Sequence, residues 1–229
     1  MRVKICGIDR PEALATAADA GADYVGFVFF PPSPRFVSIA RAAAMRAIRP
    51  DGPPAVGLFV KPSFDEIATV LAGVRLDALQ IYGDGALARA IRARFGLPVW
   101  LALGISARAD LSAAVQAAQG LDGMVIESKA PPGATRPGGN ATALDWSLLA
   151  GWTPPLPWLL AGGLTPDNVG EAIACSGAMG VDVSSGVEQT PGVKDLSLIR
   201  AFIKSSRNAA PALSAETHRE YDNAGQGVP

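Results

Sequence analysis

The chain has 229 residues, enough to bury a sizeable core as one large α/β domain or two small ones. Hydrophobic residues make up 49% and charged residues 18%, the balance of a soluble globular protein. Twenty Lys and Arg against 21 Asp and Glu give a net charge of -1, which argues against a nucleic-acid groove or a polybasic membrane surface.

Two cysteines, Cys6 and Cys175, are too few for a disulfide framework. The one histidine, His218, lies in a polar tail, so neither a metal site nor histidine general-base chemistry is expected. The first six residues run straight into an apparent strand without the apolar region of a signal peptide, and no apolar run is long enough to span a bilayer. A reducing cytoplasm is the default setting.

In chain order, Val3 to Cys6 reads as a short strand ending at Gly7, and Pro11 sits early in the helix that follows. Asp23 to Phe29 is a second strand, too continuously apolar for a sheet with one wet face. Three prolines stiffen its exit through Arg35, and Ser38 caps the next helix. Ala55 to Val60 is strand three, Ser63 caps helix three, and Leu76 to Ile81 is strand four. Helix four spans Ala86 to Phe95 and stops at Gly96; Pro98 to Leu103 is strand five, and Asp110 opens a helix ending at Gly120. Gly123 to Glu127 is strand six. The stretch from Ser128 to Thr142, rich in Pro, Gly, Ala and Thr, is too long for an ordinary βα connection and is therefore suspected of function. A short helix, Asp145 to Leu149, precedes strand seven at Trp158. A glycine pair and a helix start at Pro166 and Asp167 follow. Val181 to Val183 is strand eight, and a polar turn at Pro191 and Gly192 leads to a last helix from Asp195.

Eight alternations of strand and helix predict an α/β chain folded as a (β/α)8 TIM barrel, eight parallel strands with outer helices. An open doubly wound sheet is the competing topology. The barrel domain is expected over residues 1–206, with 207–229 a polar tail that its composition predicts to be disordered. In a barrel, all strand C-termini face one site, which makes neighbours of Lys4, Cys6, Arg35, Gln80, Glu127, Gly162, Gly163, Asp182, Ser184 and Ser185. Glycine- and serine-rich loops after strands seven and eight are suited to surround a phosphate with backbone N–H groups. One thiol, one carboxylate, one arginine and a phosphate nest suit proton transfer on a small anionic substrate.

Lys4-Ile-Cys-Gly7, Gly26-Phe-Val-Phe-Phe-Pro-Pro-Ser-Pro-Arg35, Leu160-Ala-Gly-Gly-Leu164 and Asp182-Val-Ser-Ser-Gly-Val-Glu188 through Pro191-Gly-Val-Lys-Asp195 resemble the signatures of the phosphoribosylanthranilate isomerase family of tryptophan biosynthesis. The resemblance covers roughly residues 1–205 and implies an Amadori rearrangement of N-(5'-phosphoribosyl)anthranilate to 1-(2-carboxyphenylamino)-1-deoxyribulose 5-phosphate, without metal or redox cofactor. It implies Cys6 as general base, with Lys4 on the same strand face lowering the thiol pKa, and Glu127 as general acid. It further implies Arg35 gripping the aryl carboxylate bidentately and Asp182 meeting a sugar hydroxyl or the amine, or else pairing with Lys4. Lys4 and Gln80 join the substrate contacts, and Gly162, Gly163, Ser184, Ser185 and Gly186 hold the phosphate. Cys175 is expected to be packing.

Three positions depart from the family pattern. Glu127 stands for an aspartate, Tyr82 for a histidine in Gln80-Ile-Tyr-Gly83, and Ala141 for a loop glycine. These leave two alternatives open: a diverged isomerase of another phosphosugar, or a phosphosugar-binding module without catalysis. No nucleic acid or membrane partner is expected, and the chain is a monomer or homodimer.

Overall fold

The computed structural model describes residues 1–130, 133 and 144–209. Eight strands form a closed parallel barrel in sequence order: β1 (Arg2–Cys6), β2 (Tyr24–Val28), β3 (Ala55–Val60), β4 (Ala78–Tyr82), β5 (Val99–Ile105), β6 (Gly123–Ser128), β7 (Trp158–Leu160) and β8 (Gly180–Val183). Pairing of β1 with β8, Lys4 beside Asp182, closes the ring and excludes the open sheet. The outer helices are α1 (Pro11–Asp19), α2 (Ile39–Ile48), α3 (Phe64–Gly73), α4 (Gly85–Phe95), α5 (Asp110–Ala118), α6 (Val169–Ser176) and α7 (Leu196–Ala209).

The helix starts follow their caps. The Ser38 hydroxyl accepts from Arg41 N–H, Ser63 and Glu66 form a reciprocal capping box, and the Asp84 carboxylate accepts from Leu87 N–H. Gly96 and Gly177 end α4 and α6 in the left-handed conformation. Strand side chains alternate between two faces. Val3 and Ile5, Val25 and Phe27, Leu79 and Ile81, and Val181 and Val183 join the core under the helices. Lys4, Cys6, Gln80, Tyr82 and Asp182 are thereby turned into the barrel.

At the N-terminal end of the barrel, one device recurs three times. Asp23, Asp77 and Asp122 stand immediately before β2, β4 and β6, and their carboxylates accept from the N–H of Val3, Ala55 and Val99. An arginine from a helix holds each of them: Arg207, Arg46 and Arg92. Conservation of geometry at this face serves stability, since barrel sites form at the opposite end.

Several expectations are corrected. The short helix of the sixth unit is a single 3₁₀ turn, Trp146–Leu149, with Asp145 accepting from Ser147. After β8, a 3₁₀ turn (Ser185–Val187) leads into an antiparallel hairpin, β9 (Glu188–Thr190) and β10 (Val193–Lys194), where the sequence predicts only a turn. Helix α7 continues through Ala209, so residues 207–209 belong to the outer ring; Arg207 donates to Gly21 O at 2.8 Å and bonds Met1 O. Cys175 is exposed, not packing. Ala141 and the tail from residue 210 lie outside the described residues, as does most of the long loop after β6.

Candidate active site

At the C-terminal ends of the strands, a pocket of about 680 Å³ including its open mouth is lined by Cys6, Arg35, Tyr82, Glu127 and Asp182, and by Gly162, Gly163, Ser184 and Ser185. Val28, Phe30, Leu58, Val60 and Leu164 complete its apolar wall. The thiol of strand one and the carboxyl of strand six therefore share one cavity with the two glycine/serine loops. Among the described residues, no group of three His, Cys, Asp or Glu side chains is placed to hold a metal ion.

Beneath the pocket, Lys4 is fully buried and donates to Asp182 Oδ2 at 3.0 Å. Burial opposes the Lys4 charge, but Asp182 and Cys6 outweigh it and hold the ammonium above its ordinary 10.5. Lys4 is not among the residues lining the cavity, and it acts on Cys6 and Glu127 through its charge. Gln80 is also fully buried and outside the lining, and its amide atoms find no partner among the described residues. Asp182 pairs with Lys4 and also lines the pocket.

The thiol does not behave as expected. Burial pushes Cys6 above its ordinary 9.0, and Asp182 adds to the rise; Lys4 and Lys194 pull against it without winning. Cys6 is thus a thiol near neutral pH. Burial likewise drives the Glu127 carboxyl from 4.5 to about 8, with the Asp182 charge adding and the Tyr82 hydroxyl and Lys4 opposing. Glu127 is 5% exposed, so its carboxyl is shut away from solvent at the strand end. It stands at neutral pH as a protonated acid with a proton to give.

Arg35 is buried at the pocket wall, but one side of its fork is occupied. Nε and Nη2 donate to the two oxygens of Glu188 at 2.7 and 2.9 Å. The protein's own carboxylate therefore occupies the Nε–Nη2 side of the fork, and the Nη1–Nη2 end keeps N–H groups for a second carboxylate. Lys194 donates to Glu188 Oε1 and to Ser184 O, both at 2.8 Å, and Gly192 N–H reaches Glu188 Oε2 at 3.1 Å. Burial would raise the Glu188 carboxyl, but Arg35 and Lys194 outweigh it and hold it below the ordinary range. Burial also draws the Lys194 ammonium below 10.5 despite Glu188. The cluster carries one carboxylate and two cations, so its net charge is positive beside the cavity.

Gly162 and Gly163 both have positive φ, +85° and +66°, a backbone that presents N–H groups without strain only for glycine. Among the described residues, those two N–H groups donate to no other group of the protein. Ser184 donates its hydroxyl to Cys6 O at 3.1 Å, tying the phosphate-type loop to the thiol's strand. Gly186 does not line the pocket. It lies where a Cβ would come within 1.7 Å of Leu164 O, so its part is to let the loops after β7 and β8 touch.

Glu188 and Lys194 were missed as site residues because a carboxylate and a lysine flanking a turn read as solvated charge. Their presence in the string shared with the family, Glu188 through Asp195, was the available signal. Tyr82 was marked only as a departure, and its pairing with Glu127 becomes visible once β4 and β6 face each other.

A family profile for N-(5'phosphoribosyl)anthranilate (PRA) isomerase matches residues 3–205. A relative from Acidiphilium cryptum called N-(5'-phosphoribosyl)anthranilate isomerase is 54% identical over 209 residues, 91% of this chain and 99% of the relative. One of the same name from Paramagnetospirillum magneticum is 52% identical over 213 residues, covering 92% and 99%. The crystal structure of the Thermotoga maritima phosphoribosyl anthranilate isomerase superposes with a TM-score of 0.80 at 36% identity, covering 91% of this chain and 99% of that one. An isomerase structure in complex with reduced 1-(o-carboxyphenylamino)-1-deoxyribulose 5-phosphate gives 0.77 at 34%, with the same coverage. The fold, the pocket and these matches agree: the chain belongs to the N-(5'-phosphoribosyl)anthranilate isomerase family.

Proposed function

We propose that the pocket catalyses the Amadori rearrangement of N-(5'-phosphoribosyl)anthranilate in tryptophan biosynthesis, with Glu127 as general acid and Cys6 as general base. Glu127 protonates the furanose ring oxygen, the bond from that oxygen to C1 breaks, and the nitrogen lone pair forms the C1 iminium. Cys6, as thiolate, removes the C2 proton; the electrons of that bond move to C1–C2 and neutralise the iminium. The resulting enol-amine tautomerises to the C2 ketone. Only protons change place, and the carbon skeleton oxidises itself internally.

The observation that carries this reading is that one cavity holds both groups, the carboxyl protonated near neutral pH, against two loops built for an anion. Gly162, Gly163, Ser184 and Ser185 receive the phosphate, and Gly186 keeps their loops in contact. Arg35 offers its Nη1–Nη2 end to the aryl carboxylate while Glu188 holds the Nε–Nη2 side. Asp182 faces the sugar, and Lys4 supports it from below.

Complementation of a tryptophan auxotroph lacking this isomerase tests the activity. Growth with the wild-type chain and none with Cys6→Ala is expected. A diverged isomerase or a pure binding module predicts no growth from either, and growth with both would remove Cys6 as base.

A further inference from the structure

Tyr82 ends β4 and Glu127 stands near the end of β6, with β5 between them. The register sets Tyr82 beside Ala102, Ala102 beside Val125, and Gly104 beside Glu127. Paired residues of adjacent parallel strands share a face, so Tyr82 starts one inward position below Glu127, roughly 7 Å along the strand. On that face the intervening strand presents only the Ala102 methyl and the Gly104 hydrogen. The Tyr82 ring packs against the group of Ala102, Val125, Leu159 and Ala161, and its hydroxyl comes within hydrogen-bonding reach of the Glu127 carboxyl. Gly104 is kept bare by its neighbour: a Cβ there would lie 2.9 Å from Lys129 Cα, backbone that yields only if the exit of β6 shifts.

The charged and titratable groups that act on Glu127 are Lys4 from β1, Tyr82 from β4 and Asp182 from β8, while Cys6 from β1 lines the same pocket and acts on Tyr82. Lys4 is committed to Asp182. The phenol is the neutral donor left for the carboxyl. We propose that Tyr82 is a positioning residue for the isomerisation: its hydroxyl grips one oxygen of Glu127 and leaves the other turned to the substrate. This rests on Glu127 being the acid. A hydroxyl that donates to the carboxyl favours the charged form left behind when the proton departs, so it eases a transfer that burial makes reluctant. If Tyr82 served only to fill the barrel, phenylalanine would do as well.

The test compares Tyr82→Phe and Glu127→Gln with the wild type by kcat and KM on phosphoribosylanthranilate, and follows the Glu127 carboxyl by ¹³C NMR titration. Tyr82→Phe is expected to lower kcat about 10- to 100-fold with KM within about twofold, the loss typical of a misplaced catalytic group. The Glu127 midpoint should also move above its wild-type position near 8. Wild-type turnover in Glu127→Gln would overturn the acid assignment itself. Loss of turnover in Glu127→Gln, with either kcat or the Glu127 midpoint unmoved in Tyr82→Phe, would overturn the positioning role alone. The titration needs no activity and remains decisive if the variant is less stable.

Discussion

Replacing Glu127 by Gln should flatten the pH dependence of stability as well as stop turnover. The carboxyl sits at about 8 in the folded chain against 4.5 when unconstrained, because burial disfavours its charge. A group raised in this way gives its full stabilisation below the unfolded value and loses it as pH climbs through the folded one. The loss runs between about 4.5 and 8 and, at about 1.4 kcal/mol per pH unit, amounts to on the order of 4 kcal/mol by pH 8. Gln keeps the volume and an acceptor for Tyr82 but cannot ionise. The assay is the thermal midpoint of wild type and Glu127→Gln at pH 5 and pH 8, read as the difference between the proteins at each pH so that other titrations cancel. The wild type should lose roughly 10 °C relative to the variant on going from pH 5 to pH 8. A wild-type-minus-variant gap that is the same at both pH values would refute the claim that this carboxyl is buried and protonated in the native state.

With Cys6 raised above 9.0 and Glu127 near 8, the productive combination of thiolate and acid is a minority form of the free enzyme. The kcat/KM profile should therefore rise through pH 8 to an alkaline maximum, with apparent values belonging to the pair, and Cys6→Ala should lower it about 10²- to 10⁴-fold; a flat optimum near pH 6 would contradict the thiol's environment. Gly186→Ala would drive a methyl into Leu164 O, part the two loops and raise KM about tenfold or more with less effect on kcat. Unchanged KM would detach the loop contact from phosphate binding. Glu188→Ala would strand Arg35 and Lys194 as buried cations and should destabilise the chain by about 3–5 kcal/mol, measured by urea unfolding. A loss under about 1 kcal/mol would show that water reaches the cluster.

Ser38, Ser63 and Gly96 mark helix ends by local chemistry that needs no tertiary partner, and they fall where the structure has them. Cys6, Glu127 and the two loops were legible as neighbours because parallel strands of a closed barrel bring their C-terminal ends together. The depth of Gln80 and Lys4 was not legible for a different reason. Period 2 gives the face of a strand but not the height at which the cavity stops, and both side chains lie below its floor. The hairpin Glu188–Lys194 escaped because its strands are short and polar, stabilised by one buried carboxylate that bonds Lys194 within the hairpin and Arg35 from the loop after β2.

The sequence by itself determined the alternation of eight strands and helices and the strings by which the family is recognised, because periodicity and capping are written in near neighbours; closure of the ring in place of an open sheet was decided by the pairing of β1 with β8. Only the tertiary structure decided the ionisation of the site and the partners of its charges. Burial raised the thiol that a nearby lysine was expected to lower, and Glu188, 153 residues from Arg35 in the chain, took one side of the arginine fork. Desolvation and charge pairing depend on every group within a few ångströms, and that neighbourhood exists only once the ring of strands is shut.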